Sequence, residues 1–351
     1  MLLRDGESIK YSTGDLGFKE AVYMPKQNLY VINLMDCERV ARYAPDMGGP
    51  ESWSLSEKAI KGWATLLSDM GFKGFFGVHP ESASQHRDLL LELADEGFEL
   101  GLQFHAGNFR GLEYRCYLGS YTRREQTEIL TKAREDWIRA LDRTPKTFGV
   151  GGGSFNDYTW LVIYELGFRQ CYVPPERHRP DVHCVTVSSY PYAHHANPYN
   201  RLVPGDLELY VVPTTINWRR KLPNVNQFYD LRPEGTLSLE VHKETIAQNI
   251  DKMVELEIPI KTIVVPTHNT QGYHDPKNRS RINLEGILKY IEEAAEERGL
   301  KVIPATFEDV HLAAHGGKWP WREEERLYHK WERSLKPGEG FDVTSIPAPN
   351  R

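Results

Sequence analysis

The sequence predicts an α/β fold in which a parallel sheet curls toward a barrel. Three observations predict it. Short, nearly continuous apolar runs recur along the chain, as strands covered on both faces require. Amphipathic segments with helix-start and helix-stop signals separate them. The alternation persists over residues 28–310 in seven or eight units, which is the rhythm of a barrel of strand–helix repeats rather than of a sandwich or a bundle.

The elements follow in order. NLYVINLM (28–35) is an apolar run of strand length. The next segment opens with Ser54 and Glu57, spaced as a capping box, and places Ile60, Trp63, Leu67 and Met70 on one helical face before Gly71. KGFFGVHP (73–80) reads as a strand, HRDLLLELADEG (86–97) as a helix closed by Gly97, and FELGLQFH (98–105) as a strand. Thr122 and Glu125 form a second capping box, and the helix they start runs to about Leu141. KTFGV (146–150) is a strand. Asn156 or Asp157 starts a helix that stops at Gly167, and QCYVP (170–174) is a strand. A Pro-, His- and Tyr-rich stretch over 174–205 reads as an extended loop. Strands at 207–216, 262–269 and 301–306 then alternate with helices at 243–257 and 283–299. Residues 1–27 form an N-terminal extension, 28–315 the barrel, and 316–351 a C-terminal helix and tail. Trp319, Trp321 and Trp331 would pack that tail on the barrel or on another subunit of a homo-oligomer.

Composition narrows the function. The chain has 351 residues, 40% hydrophobic and 26% charged, with a net charge of −6. That is an ordinary globular composition, and the charge argues against a polyanion-binding surface. Basic runs interleaved with aromatics are absent, so nucleic acid is not an expected partner. Cys37, Cys116, Cys171 and Cys184 are scattered and form no CxxC pair, which excludes a disulfide framework and a zinc knuckle. Nothing resembles a signal peptide, and no apolar run reaches membrane-spanning length, so the expected compartment is the cytoplasm.

In parallel α/β folds the site lies at the carboxyl ends of the strands. Those ends carry Asp36 and Glu38, His79, His105, and His268 with Asn269. Carboxylate with imidazole suits a divalent transition metal, which polarises a carbonyl and activates water. A second carboxylate can take a proton, and a further imidazole can return one to the leaving group. Each residue also has a structural reading. Asp36 can open a loop with Glu38 on the surface, whereas a turn after Asp36 would bring both to a pocket. His105 and His268 can be hydrogen-bonded core histidines, and His79 can orient the loop before Pro80. Gln103 lies two residues before His105 and either shares its pocket or packs in the core. The run Gly151–Gly153 allows close backbone approach but lacks the spacing of a nucleotide loop, so Gly152 and Gly153 suit substrate contact or a tight turn. His194 and His195, inside SSYPYAHHANPYN, suit a metal, a sugar-contacting loop or simple exposure.

The order of these motifs resembles the polysaccharide deacetylase superfamily, the NodB-homology carbohydrate esterases. INLMDCE looks like the first motif in a D-x-E form, ELADEGFELGLQFH like the second, GGGSFNDYTWLVIYELGFR like the third, VVPTHN like the last, and FEDV (307–310) like the domain end. The resemblance covers residues 28–310 and implies a distorted (β/α)7-type barrel. It also implies a metal-dependent hydrolase that removes an acetyl or other acyl group from an N-acylated sugar or related polysaccharide.

In that scheme Asp36 is the general base and His268 the general acid. Asp36, Glu38, His79 and His105 supply metal ligands, with Zn²⁺ the expected ion and Co²⁺, Ni²⁺ or Fe²⁺ its substitutes. Gln103, Gly152, Gly153, His194, His195 and Asn269 contact substrate. The sequence departs from the pattern at two places. Motif two carries two His four apart, but Phe109 stands four after His105. Motif three opens with an Arg that steers the first acid, and Gly149 holds that place. His79 and Glu38 are the candidates to replace the missing His. Two other classes fit: another C–N or glycosidic hydrolase on the same barrel, or a metal-free carbohydrate-binding or assembly protein.

Overall fold

A computed structural model describes residues 8–13, 19–24, 27–43, 48–111, 113–223 and 225–320. The strands are β1 (Ser8–Thr13), β2 (Lys19–Met24), β3 (Gln27–Cys37), β4 (Gly74–Val78), β5 (Glu99–Phe104), β6 (Thr147–Val150), β7 (Gln170–Val173), β8 (Arg177–Arg179), β9 (Cys184–Val185), β10 (His194–Ala196), β11 (Leu207–Pro213), β12 (Ile216–Lys221), β13 (Asn226–Asp230), β14 (Lys261–His268) and β15 (Leu300–Pro304). The helices are α1 (Trp53–Asp69), α2 (Pro80–Gln85), α3 (Arg87–Asp95), α4 (Arg123–Leu141), α5 (Thr159–Glu165), α6 (Leu239–Glu255), α7 (Arg279–Glu297) and α8 (Phe307–Ala314).

The main sheet runs β10-β11-β7-β6-β5-β4-β3-β14, and β15 also pairs with β3. Every pairing in it is parallel except β10 with β11. β3 is the spine. β14 takes one edge along Leu29–Asp36, while β15 pairs with Gln27–Val31 and β4 with Asn33–Cys37. The sheet is thus a distorted, open α/β barrel. β1 and β2 form a separate antiparallel hairpin within the N-terminal extension. Residues 321–351, which include Trp321, Trp331 and most of the expected C-terminal helix, lie outside the described residues.

Two layers of core follow from the alternation of β3. Val31, Met35 and Cys37 face outward into a large cluster with Trp63, Trp137 and Trp160 of the covering helices. Ile32 and Leu34 face inward with Phe75, Tyr172, Val264 and Phe307. Asp36 continues that inward series at the open end of the barrel. Glu38, two residues on, lies on the same side, because side chains two apart share a strand face. No turn after Asp36 is required to bring the acids together, and the strand is extended through Cys37.

The helix signals act mostly where expected. The Thr122–Glu125 capping box starts α4, and its last residue is Leu141. The cap of α1 is Ser52, whose hydroxyl accepts from Leu55 N–H at 3.2 Å, rather than Ser54. The predicted helix over 86–97 is preceded by α2, which Pro80 opens, and His86 joins the two. The stretch 174–205 contains β8, β9 and β10, and β8 and β9 join β12 and β13 in a four-stranded antiparallel sheet.

At the end of β14 a side chain takes over from the backbone. The Asn269 N–H donates to the Asp36 carbonyl at 3.1 Å, completing the ladder. Beyond it, Asn269 Oδ1 accepts from Glu38 N–H at 3.0 Å, and Asn269 Nδ2 donates to the Glu38 carbonyl at 3.1 Å. Ser82 Oγ also donates to that carbonyl at 2.9 Å, and Asn269 Nδ2 reaches Ser56 Oγ at 2.7 Å. The side-chain amide therefore mimics one more residue of strand.

Two predictions follow from this framework. Asn269→Leu leaves the buried Glu38 N–H without its partner and the Glu38 carbonyl with Ser82 alone, so it should cost about 1–3 kcal/mol in urea unfolding; an unchanged midpoint would show that the amide is dispensable. The second concerns Glu99, at the start of β5, which accepts from the Thr147 hydroxyl and the Glu308 N–H. Burial and the Glu308 carboxylate push its pKa from 4.5 to about 7. A raised acid binds its proton more tightly when folded, so ionisation withdraws stability as pH rises from 4.5 through 7. Glu99→Gln should therefore raise Tm at pH 8 and change it little at pH 4.5, read by thermal melts at both.

Candidate functional site

A cavity of about 870 Å³ opens at the carboxyl ends of the barrel strands. Asp36, Glu38, Gln103, His105, Gly152, Gly153 and His268 line it, from β3, β5, the turn after β6 and β14. Asp36 and His268 are register partners across β3 and β14, so the ladder itself sets them side by side.

Glu38 is the buried centre, 3% exposed. Its Oε1 accepts from His105 Nε2 and from Gln103 Nε2, both at 3.0 Å. Burial pushes the carboxyl up, but His105, with His268 and His79 further off, outweighs it and holds Glu38 below the usual carboxylate range. Burial lowers His105 in turn, yet the Glu38 carboxylate leaves it above the ordinary imidazole value. Asp36 behaves differently: burial dominates, and its pKa rises to about 6 although His268 and Arg232 favour the ionised form.

The Tyr172 hydroxyl donates to Asp36 Oδ1 from β7, crossing three strands to do so. It passes over Gly77 and Gly149, where an added Cβ would overlap that hydroxyl. Gly149, where the sequence resemblance leads one to expect an Arg, instead leaves room for the Tyr172 hydroxyl.

A charged cluster follows β13. His268 donates from Nδ1 to Glu234 Oε1 at 2.7 Å, and Arg232 donates to that same oxygen at 3.1 Å and to Asp230 Oδ2 at 2.9 Å. Burial and Arg232 lower His268, but Glu234 and Asp36 carry it above its ordinary value. Sequence reasoning missed Tyr172, Asp230, Arg232 and Glu234. Tyr172 had a usable signal, since it is a polar group at a strand end like the residues that were singled out. Asp230, Arg232 and Glu234 stand in a segment that carries no barrel periodicity.

The other expected residues lie elsewhere. His79 is fully buried outside the cavity lining, stacked on Phe104, with Nδ1 2.6 Å from Glu81 Oε2. Asn269 is buried in the Glu38 backbone clamp. His194 donates to the Tyr192 carbonyl on β10, and His195 beside it faces Glu208, His311 and His315.

Asp36, Glu38, His105 and His268 do not bring three carboxylate or imidazole donor atoms within 4.8 Å of one another; among the described residues a group that does lies at the far end of the sheet. Around Glu38 the third donor type is an amide. Glu38 Oε2 and Gln103 Oε1 are buried and have no hydrogen-bond partner among the described residues. Two orphaned oxygens beside an imidazole suit a divalent cation, since a buried oxygen left unpaired is costly.

No family model matches the chain, and no curated protein matches it. Solved structures do. The chain is similar to a protein described as a polysaccharide deacetylase from Mycobacterium smegmatis, with TM-score 0.52 and 14% identity over 83% of this chain and 91% of that one. A second, from Pseudomonas aeruginosa, is described likewise, with TM-score 0.52 and 12% identity over 83% and 93% of the two chains. The Puue allantoinase is similar to the same degree, with TM-score 0.52 and 12% identity over 83% and 92%. The chain therefore has the fold of the polysaccharide deacetylases, a distorted (β/α) barrel reached at 12–14% identity.

Proposed function

We propose that this protein is a deacetylase-type hydrolase that cleaves an acyl group from the nitrogen of an N-acylated sugar, as a divergent member of the polysaccharide deacetylase superfamily. The observation that carries the reading is the pairing of Asp36 and His268 across β3 and β14 on the cavity floor, each held by its own partner. Tyr172 fixes the Asp36 carboxylate, and Glu234 fixes the His268 imidazole. Asp36 takes the proton of the attacking water, and His268 delivers one to the departing amine. Glu234 supports the imidazolium form that this step needs.

Glu38, His105 and Gln103 would hold a divalent cation, zinc being the best match to a mixed carboxylate, imidazole and amide set. When bound, that ion supplies Lewis-acid polarisation of the scissile carbonyl. Gly152 lines the cavity beside His105, and its N–H would serve an oxyanion gathering there, with Gly153 next to it on the cavity wall.

A second reading has its own support. Arg177, Arg179 and Arg232 line the same cavity, and Arg177 Nε has no hydrogen-bond partner among the described residues. Cations on the wall suit a small amide carrying a carboxylate better than a neutral sugar chain, and the equally similar allantoinase is not described as a sugar esterase. Product analysis separates the two: free acetate from N-acetylated sugar oligomers, against hydrolysis of anionic amides with no acetate released.

Asp36→Asn and His268→Ala should each lower acetate release by about 10²–10⁴-fold with folding intact by circular dichroism. Full turnover in Asp36→Asn would remove the assigned base. Dialysis against a chelator should abolish turnover and added Zn²⁺ restore it. In Gln103→Leu, restoration should need about tenfold or more additional zinc, whereas His79→Gln should respond like the unaltered protein.

A further inference from the structure

The amino end of the sheet, away from the cavity, gathers a second set of imidazoles. Glu208 is the second residue of β11, and Thr214, just past the far end of that strand, is on the cavity wall. His195 sits on the neighbouring antiparallel strand β10, opposite Tyr210. His311 and His315 are four apart on α8 and its C-cap, and so share a helical face. Glu208 Oε1 lies 2.9 Å from His311 Nε2 and 3.1 Å from His315 Nε2, and Glu208 Oε2 lies 3.8 Å from His195 Nδ1. One ligand atom from each of the four falls within 4.8 Å of all the others.

We infer that His195, Glu208, His311 and His315 form a structural site for a divalent transition metal, zinc in the first instance. This site is separate from the one proposed at Glu38. Four considerations support it. Three imidazoles and a carboxylate are a complete tetrahedral set, and structural zinc sites are closed by four protein ligands. Tetrahedral bonds of about 2.0 Å separate ligand atoms by roughly 3.3 Å, and the 2.9 and 3.1 Å from Glu208 Oε1 to His311 and His315 Nε2 lie near that spacing.

Charge favours it too. The Glu208 carboxylate supplies negative charge to a cation, and neutral imidazole is the form of histidine that ligates one. The His195 ring is also held from behind, as ligating histidines are, because its Nδ1 donates to the Leu207 carbonyl at 3.2 Å. Tyr210 stacks flat on His311 at 5.0 Å, and Trp319 covers His311 and His315 at 4.9 and 5.3 Å.

The consequence is mechanical. α8 is the last described helix, and β10–β11 is the edge hairpin of an open sheet. A metal shared between them ties the end of the chain's barrel to its free edge.

The test uses the full-length protein stripped of metal and titrated with Co²⁺, whose visible absorption reports tetrahedral coordination. The site proposed at Glu38 is silenced by His105→Ala, and two proteins are compared in that background: His105→Ala alone and His105→Ala with His315→Ala. The first should show the tetrahedral band, and the second should lose it or need more than about 100-fold more cobalt. Zn²⁺ should raise Tm in the first and not in the second. Glu208→Gln in the same background, which keeps shape and one oxygen, guards against misfolding of the alanine variant and should weaken binding in the same direction. A band that survives both His315→Ala and Glu208→Gln overturns the inference, as does its absence from His105→Ala; a band seen in the unaltered protein and absent from His105→Ala overturns it while leaving the Glu38 site standing.

Discussion

The site depends on a side chain acting as backbone. β14 ends at His268, and the ladder that holds β3 would end with it. Asn269 presents an acceptor and a donor in the order that a further residue of strand would, and captures both polar groups of Glu38. Both ends of that contact are buried, so neither water nor another conformer competes for them. The two acids are therefore held on one rigid line, and Glu38 cannot swing toward solvent when its carboxylate is drawn inward by His105 and Gln103. Ser56 and Ser82 tie the same point to α1 and α2, so the outer helices also report to the site.

Around that line the charges are distributed so that two similar carboxyls differ. Glu38 accepts from an imidazole and an amide and stays ionised. Asp36 is buried with a phenol as its hydrogen-bond partner and titrates near 6. The difference originates in burial, which the His105 contact outweighs at Glu38 and which the Tyr172 hydroxyl offsets only in part at Asp36. Gly77 and Gly149 have no side chain to obstruct Tyr172, and a larger residue at either would separate it from Asp36. A neutral donor leaves Asp36 more basic than a bonded cation would.

The strand ends were legible because burial imposes a pattern. Apolar runs bounded by Gly and Pro located β3, β4, β5, β6, β7, β11, β14 and β15, and Asp36, Glu38, His105 and His268 fell at their ends. What was hidden depends on contacts far apart in the chain. His79 also stands at a strand end, but a Glu81 two residues later and a parallel Phe104 ring retain it, and spacing carries no trace of the stack. His195 was visible as a metal-compatible residue in an irregular stretch, while its companions Glu208, His311 and His315 come from three different places in the sequence. Gln103 was visible as a neighbour of His105, but its orphaned oxygen is a property of the assembled pocket.

The distortion of the barrel and the composition of its site have a common origin. An open parallel sheet leaves edges at β14 and at β10, and unpaired edge groups must be satisfied. The Val264 N–H of β14 finds the Thr215 hydroxyl at 2.9 Å, and Thr215 O accepts from Leu231 N–H at 2.8 Å. The segment from 214 to 237 thus covers the edge that a further parallel strand would have taken. Because it is a meander rather than a strand–helix unit, it is free to turn inward after β13, where Asn283 anchors the Pro233 carbonyl at 2.9 Å. That turn is what delivers Asp230, Arg232 and Glu234 to His268. A closed, regular barrel would fill the same position with a strand whose residues alternate in and out, and could not set three charged groups from one short turn against a single imidazole.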